Sequence, residues 1–269
     1  MSEAPLHVAL AQYAPVASSA ENLAALSEIV AGVAAQGAQI VIAPEYSQAF
    51  LPGQYNEWGN LAEPLEGEFV TGLARISADN DGVIIVAGML ERSDNSLPTN
   101  TIVAVGPQGV VARAEKIHLY DAFGASESSF VAPGSTAEVS LLDIGGHRLG
   151  FLACYDLRFP EVTRRLVDSG ATTVVVPAQW VPGEHKISHW QALLKARAIE
   201  SQSYVVAAGQ PAPHGIGHST VIDPWGVVLG ELGSDAGVLH AQLEASVVAS
   251  VREINPVSRA RRFDVRPRQ

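Results

Sequence analysis

Short β-branched runs separated by amphipathic stretches of helical length govern what this chain can fold into. "HVALAQ" is followed by "ENLAALSEIVAGVAAQ", "QIVIAPE", "EGEFVTGLARISADN" and "GVIIVAGML". Strands that alternate with helices build parallel sheets with helices packed outside, the α/β class. A hairpin follows in "TIVAVGPQGVVARAEK", whose Gly-Pro-Gln-Gly centre is a turn between paired strands, so the sheets are expected to be mixed.

The second half of the chain repeats the first. "FLACY" (151–155) echoes "ALAQY" (9–13), and "GATTVVVPAQ" (170–179) echoes "GAQIVIAPEY" (37–46), with a helix between them in each half, opening at Pro160 and Glu161 in the second. Two matched β-α-β units imply two sheets or half-sheets related by approximate two-fold symmetry, a four-layer α-β-β-α sandwich. Gln12 then stands at the echo position of Cys154. A helix over about Lys186 to Ser203, the strand "YVVAAG", two strands around an Asp-Pro-Trp-Gly turn and a last strand in "AGVLHAQL" complete the reading. No Pro, Gly or Ser linker separates the halves, so a single domain over 1–257 is expected, followed by a basic tail over 258–269 that extends from the core.

With 47% hydrophobic and 17% charged residues, a chain of 269 can bury a large core. A single cysteine excludes an intramolecular disulfide and a multi-cysteine zinc site, and suits a reducing cytosol. Glu3 stands where a leader carries basic residues, and no apolar run nears the ~20 residues of a membrane span. A soluble, cytoplasmic protein without membrane contact is the expectation. The net charge of −11 disfavours nucleic acid. The tail "SRARRFDVRPRQ" is read as a solvated arm or a subunit contact.

Three residues could carry chemistry together. Cys154 follows the apolar run "LGFLA" and precedes a Pro-Glu helix start, so it lies at the carboxyl end of a strand, where open α/β sheets place their sites. By position alone, an inert core thiol and a reactive one stand level. Glu45 ends "QIVIAPE", and alone it reads as an ordinary exposed loop residue. If the two β-α-β units pack side by side, both face one pocket. Lys116, in "ARAEKIHLYD", alone reads as a surface lysine. A thiol needs a base to become a nucleophile and a developing oxyanion needs a cation or hydrogen-bond donor, roles that Glu, Cys and Lys fill between them. Asp156 and Arg158 read as a structural ion pair, and His214 and His218 as solvated loop residues. His185 and His189 share an i, i+4 spacing but lack the third ligand of a zinc site. No phosphate loop or dinucleotide fingerprint is present, and neither cofactor nor metal is expected.

Taken in order, "APEYS", "EKIHLYD" and "ACYDLRFPE" resemble the three motif regions of the carbon–nitrogen hydrolase, or nitrilase, superfamily. "GASESSFVAPGS" resembles the segment carrying that family's second glutamate, here Glu127, and the likeness covers nearly the whole chain. The resemblance implies Glu45 as general base, Cys154 as nucleophile, Lys116 and the Tyr155 backbone N–H as oxyanion donors, and Glu127 orienting the amide and Lys116. Gln179, Trp180 and Tyr46 are the expected pocket residues, although Trp180 reads equally as core. The loop "YSQAFLPGQYNEWGN" offers no charged group of obvious pairing use except Glu57. The implied activity is hydrolysis of a small linear amide through a cysteine thioester. The alternatives are a catalytically silent binding module or, among enzymes, a nitrilase or N-carbamoyl hydrolase. "RAIESQSYVVAAGQ" and "GHSTVIDPWG" look most like the branch of deaminated-glutathione amidases and omega-amidases. Their substrates carry a carboxylate, for which an acidic protein needs a local positive group. Relatives usually form homodimers, so a homo-oligomer is expected.

Overall fold

In the first strand, β1 (Leu6–Gln12), Leu6, Val8 and Leu10 face one way and the small Ala9 and Ala11 the other. Successive side chains of a strand point to opposite faces, so this division assigns β1 two different neighbours. The computed structural model, which describes residues 4–93, 97–137 and 139–267, shows what they are. The leucines pack against a second sheet, and the alanines admit helices α1 (Ser19–Ala34) and α3 (Glu68–Asp79). Between these helices lie β2 (Ile40–Ile42) and the short α2 (Trp58–Leu61). Then follow β3 (Ile84–Glu91), β4 (Thr99–Gly106), β5 (Gly109–Glu115), β6 (Leu141–Ile144) and β7 (His147–Phe151). The chain continues through α4 (Pro160–Asp168), β8 (Thr173–Ala178), α5 (Lys186–Ser201), β9 (Tyr204–Gly209), β10 (Thr220–Ile222), β11 (Val228–Glu231) and β12 (Gly237–Leu243). It closes with α6 (Ala245–Ile254) and α7 (Val257–Ala260).

One sheet has the order β12-β1-β2-β3-β4-β5 and the other β11-β10-β9-β8-β7-β6. Parallel pairing joins β1, β2 and β3, and likewise β7, β8 and β9, with antiparallel strands outside them. Read from β12 in one sheet and from β6 in the other, the two sheets have the same plan, so the echo in the sequence is an echo in topology. Leu10, Ile42 and Val86 of one sheet meet Phe151, Val175 and Val206 of the other in the central core. Trp190, Leu194 and Ala198 of α5 cover the outer face of the second sheet. The fold is the expected α-β-β-α sandwich of mixed sheets.

Local chemistry sets the boundaries. Ser18 caps α1 by accepting from the Glu21 N–H at 3.3 Å, and Pro160 opens α4, where a missing N–H costs no helix bond. β2 ends at Ile42, before the proline of "APE". The helix expected to reach Ser203 stops at Ser201, because Gln202 turns into the left-handed region at φ 50°. Strand β6, absent from the sequence reading, forms a hairpin with β7 through Gly145 and Gly146, both at positive φ as a tight two-residue turn demands. The segment after Pro256 does not simply extend from the core. It forms α7, and the Arg261 guanidinium then pairs with Asp168 on α4. Residues 1–3 and the last two of the tail lie outside the described residues. Among the described residues, no helix is long and apolar enough to cross a membrane.

Candidate active site

The carboxyl ends of β2 and β7 approach each other across the two sheets and open into a cavity of about 640 Å³ lined by Glu45, Lys116, Glu127 and Cys154. Glu45 follows β2 and is buried at 1% exposure. Its Oε1 accepts from Lys116 Nζ at 2.9 Å and Asn100 Nδ2 at 2.7 Å, and its Oε2 from the Gln179 N–H at 2.7 Å. Its backbone is held as tightly. Gln210 Nε2 donates to the Glu45 carbonyl at 2.8 Å, and β3 passes so close that a Cβ on Gly88 would lie 2.6 Å from the Tyr46 nitrogen.

Lys116, directly after β5, places Nζ 3.0 and 2.8 Å from the two oxygens of Glu127, which heads a 3-10 turn, Glu127–Ser129. Glu127 also accepts from Tyr46 Oη at 2.5 Å and the Tyr120 N–H at 2.6 Å. Two carboxylates and one ammonium are thus removed from water together, an arrangement that opposes folding unless each charge is paired. Burial alone would strip the proton from Lys116, but Glu127 and Glu45 outweigh it and hold the ammonium far above its ordinary range. Burial would likewise raise the Glu127 carboxyl, yet Lys116 and its hydrogen bonds keep it below its ordinary value.

Cys154 begins a 3-10 turn, Cys154–Arg158, at φ 44°, a left-handed conformation that costs a non-glycine residue roughly 1–2 kcal/mol. Its Sγ lies 3.5 Å from the Gln179 carbonyl. Burial and then the charge of Glu45 push the Cys154 thiol well up, with Lys116 offsetting part of the rise.

Tyr155, Gln179, Trp180 and Tyr46 all line the cavity. Trp180 is also core, packed 5.2 Å from Trp190 with its indole N–H on the Lys186 carbonyl. The Tyr46 hydroxyl is committed to Glu127, and the Gln179 side-chain amide to the His214 carbonyl. The loop after Glu45 supplies aromatic surface rather than charge: Tyr55 and Trp58 face Phe130 and Phe50 packs on Trp58, while Glu57 is exposed and accepts from the Asn56 and Asn60 side chains.

Several expectations need correction. Asp156 does not pair with Arg158; its carboxylate is turned inward to His118 and three backbone N–H groups, while Arg158 lies over the Trp180 ring at 5.1 Å. The turn that projects Cys154 sends residues two apart to different sides. His218 is not a solvated loop residue but faces Glu231 Oε1 at 2.8 Å, whereas His214 is, as expected, an exposed loop residue, at the cavity edge against Phe50. His185 caps α5 and pairs with Glu184; among the described residues, no cluster of three or more ligating side chains accompanies it or His189.

Sequence reasoning missed Asn100, which bridges Glu45 and Glu127, and Lys186, which is buried among Tyr120, Phe123 and Trp180 with Nζ 4.2 Å from the Phe123 ring. Asn100 left one signal, a polar residue in an apolar strand. Lys186 left none, since it opens a helix as a surface lysine would.

A family model of carbon–nitrogen hydrolases matches residues 7–253. A hydrolase of Mycobacterium tuberculosis is 36% identical over 265 residues, covering 92% of each chain. The deaminated glutathione amidase of Escherichia coli O157:H7 is 35% identical, over 95% of this chain and 97% of its own. Among solved structures, the NitFhit protein of C. elegans superposes with a TM-score of 0.87 at 28% identity, matching 97% of this chain, which spans 66% of that longer one. Sequence, fold and site geometry agree that this chain belongs to the carbon–nitrogen hydrolase family, as an enzyme acting on carbon–nitrogen bonds other than peptide bonds.

Proposed function

We propose that the protein hydrolyses a small linear amide through a thioester on Cys154, releasing ammonia and then a carboxylic acid. One observation carries the reading: the Glu45 carboxylate, fixed by Lys116, Asn100 and Gln179, adjoins a lone thiol presented on a strained turn. Glu45 takes the thiol proton as sulfur bonds to the amide carbon. The oxyanion is met by Lys116 Nζ and the Tyr155 N–H, each donor worth about 3 kcal/mol. Collapse breaks the C–N bond, the nitrogen leaves as ammonia with the proton from Glu45, and the thioester remains. Glu45 then takes a proton from water, whose oxygen bonds to the thioester carbon; the C–S bond breaks to release the acid, and Glu45 gives the proton to the departing sulfur. Glu127 holds Lys116 and accepts from the amide NH₂.

The acyl group carries a negative charge at its far end. Among the described residues, neither Lys186 nor Arg158 is in an ion pair, and the Arg158 Nε is buried without a hydrogen-bond partner. Two cations outside any ion pair among the described residues, with Lys186 Nζ held there only by the Tyr120 hydroxyl at 2.8 Å, stand beside an aromatic wall in a chain of net charge −11 and suit a carboxylate-bearing amide. A second copy of the chain is the expected partner. Ile199, Trp225 and Val227 are each at least half exposed, and sedimentation at graded concentration tests their coverage.

The test is ammonia release across neutral aliphatic amides, omega-amides of dicarboxylic acids, carbamoyl compounds and nitriles. Omega-amides are expected to lead, and Cys154→Ala to release none while keeping its fold. Undiminished turnover in that variant would sink the proposal. A wild-type thioester, trapped with a slow amide, is expected by intact mass.

A further inference from the structure

We infer that Asp156 is a positioning residue that locks the nucleophile turn to the lysine-bearing segment, an inference that rests on the proposed amide hydrolysis. The carboxylate is buried at 1% exposure. Its Oδ1 accepts from the His118 N–H at 2.8 Å and lies 2.8 Å from His118 Nδ1. Its Oδ2 faces the N–H groups of Ile117 and Ala153, each at 3.3 Å. Ile117 and His118 directly follow Lys116, and Ala153 directly precedes Cys154. One carboxylate therefore ties the segment leaving β5 of one sheet to the turn leaving β7 of the other.

The tie meets a need that neither sheet satisfies alone. Lys116 and Cys154 are carried by different sheets, and no covalent segment shorter than 37 residues joins them. Cys154 is held at φ 44°, a conformation that persists only when its surroundings over-determine it. The bond from Ala153 N–H to Asp156, with that from Asp156 N–H to the Ala153 carbonyl at 2.9 Å, closes the turn around Cys154. The bonds to Ile117 and His118 set the height of Lys116 against it. His118 is braced in turn by Phe159, with rings 3.6 Å apart and 5° from parallel. An asparagine keeps the shape of this side chain but puts an NH₂ against N–H donors that need an acceptor.

A misplacement of about 1 Å between reacting groups costs roughly a hundredfold in rate. Asp156→Asn is therefore expected to lower kcat by about that factor with KM for the same amide nearly unchanged. Val251→Ala, on the buried face of α6 and outside the cavity lining, is the control: it lowers thermal stability and leaves kcat per folded molecule at the wild-type value. A folded Asp156→Asn enzyme with wild-type kcat overturns the inference. Should that variant not fold, His118→Phe decides, since it keeps the ring stack on Phe159 and removes only the Nδ1 arm. A severalfold fall in kcat at constant KM supports the tie, and no change overturns it. Wild type and Cys154→Ala run beside these on the same amide. Loss of the hydrolysis reading shows as no wild-type ammonia release or as release by Cys154→Ala, whereas loss of the present inference shows only in Asp156→Asn or His118→Phe.

Discussion

The ends of β1 and β7 occupy the same place in two sheets of one plan, yet Gln12 closes the first and Cys154 the second. Gln12 is saturated. Its amide donates to the carbonyls of Gly233 and Asp235 at 2.8 and 2.5 Å, and its oxygen accepts from Ser219 N and Oγ at 2.9 and 2.7 Å. Cys154 Sγ makes a long contact of 3.5 Å to the Gln179 carbonyl beside the Glu45 carboxylate and occupies a backbone conformation that Gln12, in its strand, avoids. A duplicated scaffold has divided its labour: the residue that fastens has every hydrogen-bonding group satisfied, and the residue proposed to react is left with bonding capacity and its proposed base beside it.

The sharpest way to break this contrast, after removal of the thiol itself, is to disable its base. Glu45→Gln keeps the bond to Lys116 through its oxygen but cannot take a proton. General-base contributions run to about 10²–10⁴, so kcat should fall by that range with the circular dichroism unchanged. Turnover close to wild type would assign the proton to another group.

A smaller effect is expected at the far wall of the cavity. Lys186→Met keeps the apolar stem among the aromatic rings and removes the charge. Hydrogen bonds to charged groups are worth about 1.5–3 kcal/mol, so kcat/KM for a carboxylate-bearing amide should drop about 10- to 100-fold while a neutral amide of equal length is nearly unaffected. The wild-type pH profile carries the same sign. Burial, and then repulsion from Arg158, lower the Lys186 pKa, so its ammonium is lost at a pH below that of an ordinary lysine, about 10.4. As pH rises through that region, the preference for the anionic amide should fade. Equal profiles for the anionic and neutral amides would remove Lys186 from recognition.

The layers, the mixed sheets and the internal echo were legible because they rest on periodicity. Leu6, Val8 and Leu10 against Ala9 and Ala11 already state that one face of β1 meets a bulky layer and the other a close-packed helix. Glu45 and Cys154 were legible because each follows an apolar strand, where a polar side chain marks an exit, and Lys116 joined them only through the role a cation can fill beside a thiol and a carboxylate. Residues whose meaning depends on the other sheet were not. Nothing near Asn100 in sequence announces two carboxylates 55 positions before it and 27 after it. Asp156 invited pairing with Arg158, two residues away, because sequence conveys proximity along the chain but not the turn that separates their side chains. Lys186 looked like a solvated helix start, since the rings that enclose it come from Tyr120, Phe123 and Trp180 on two other segments.

The smallest expected change in rate comes from the fastening side, where stability is what responds. Gln12→Ala removes an amide whose four hydrogen bonds join the end of β1 to Ser219 before β10 and to the turn that leads into β12. Ser219 is fully buried, so its N–H and hydroxyl lose an acceptor away from water, and each unsatisfied group costs about 1–3 kcal/mol. A drop of a few kcal/mol in unfolding free energy is therefore expected, read as a lower midpoint in urea at unchanged slope. Gln12 touches none of Glu45, Lys116, Glu127 or Cys154 by hydrogen bond, so kcat per folded molecule should hold. If Gln12→Ala instead lowers kcat as far as Asp156→Asn does, the two strand ends are not divided into fastening and reacting roles, and the geometry of the site depends on both halves of the duplication.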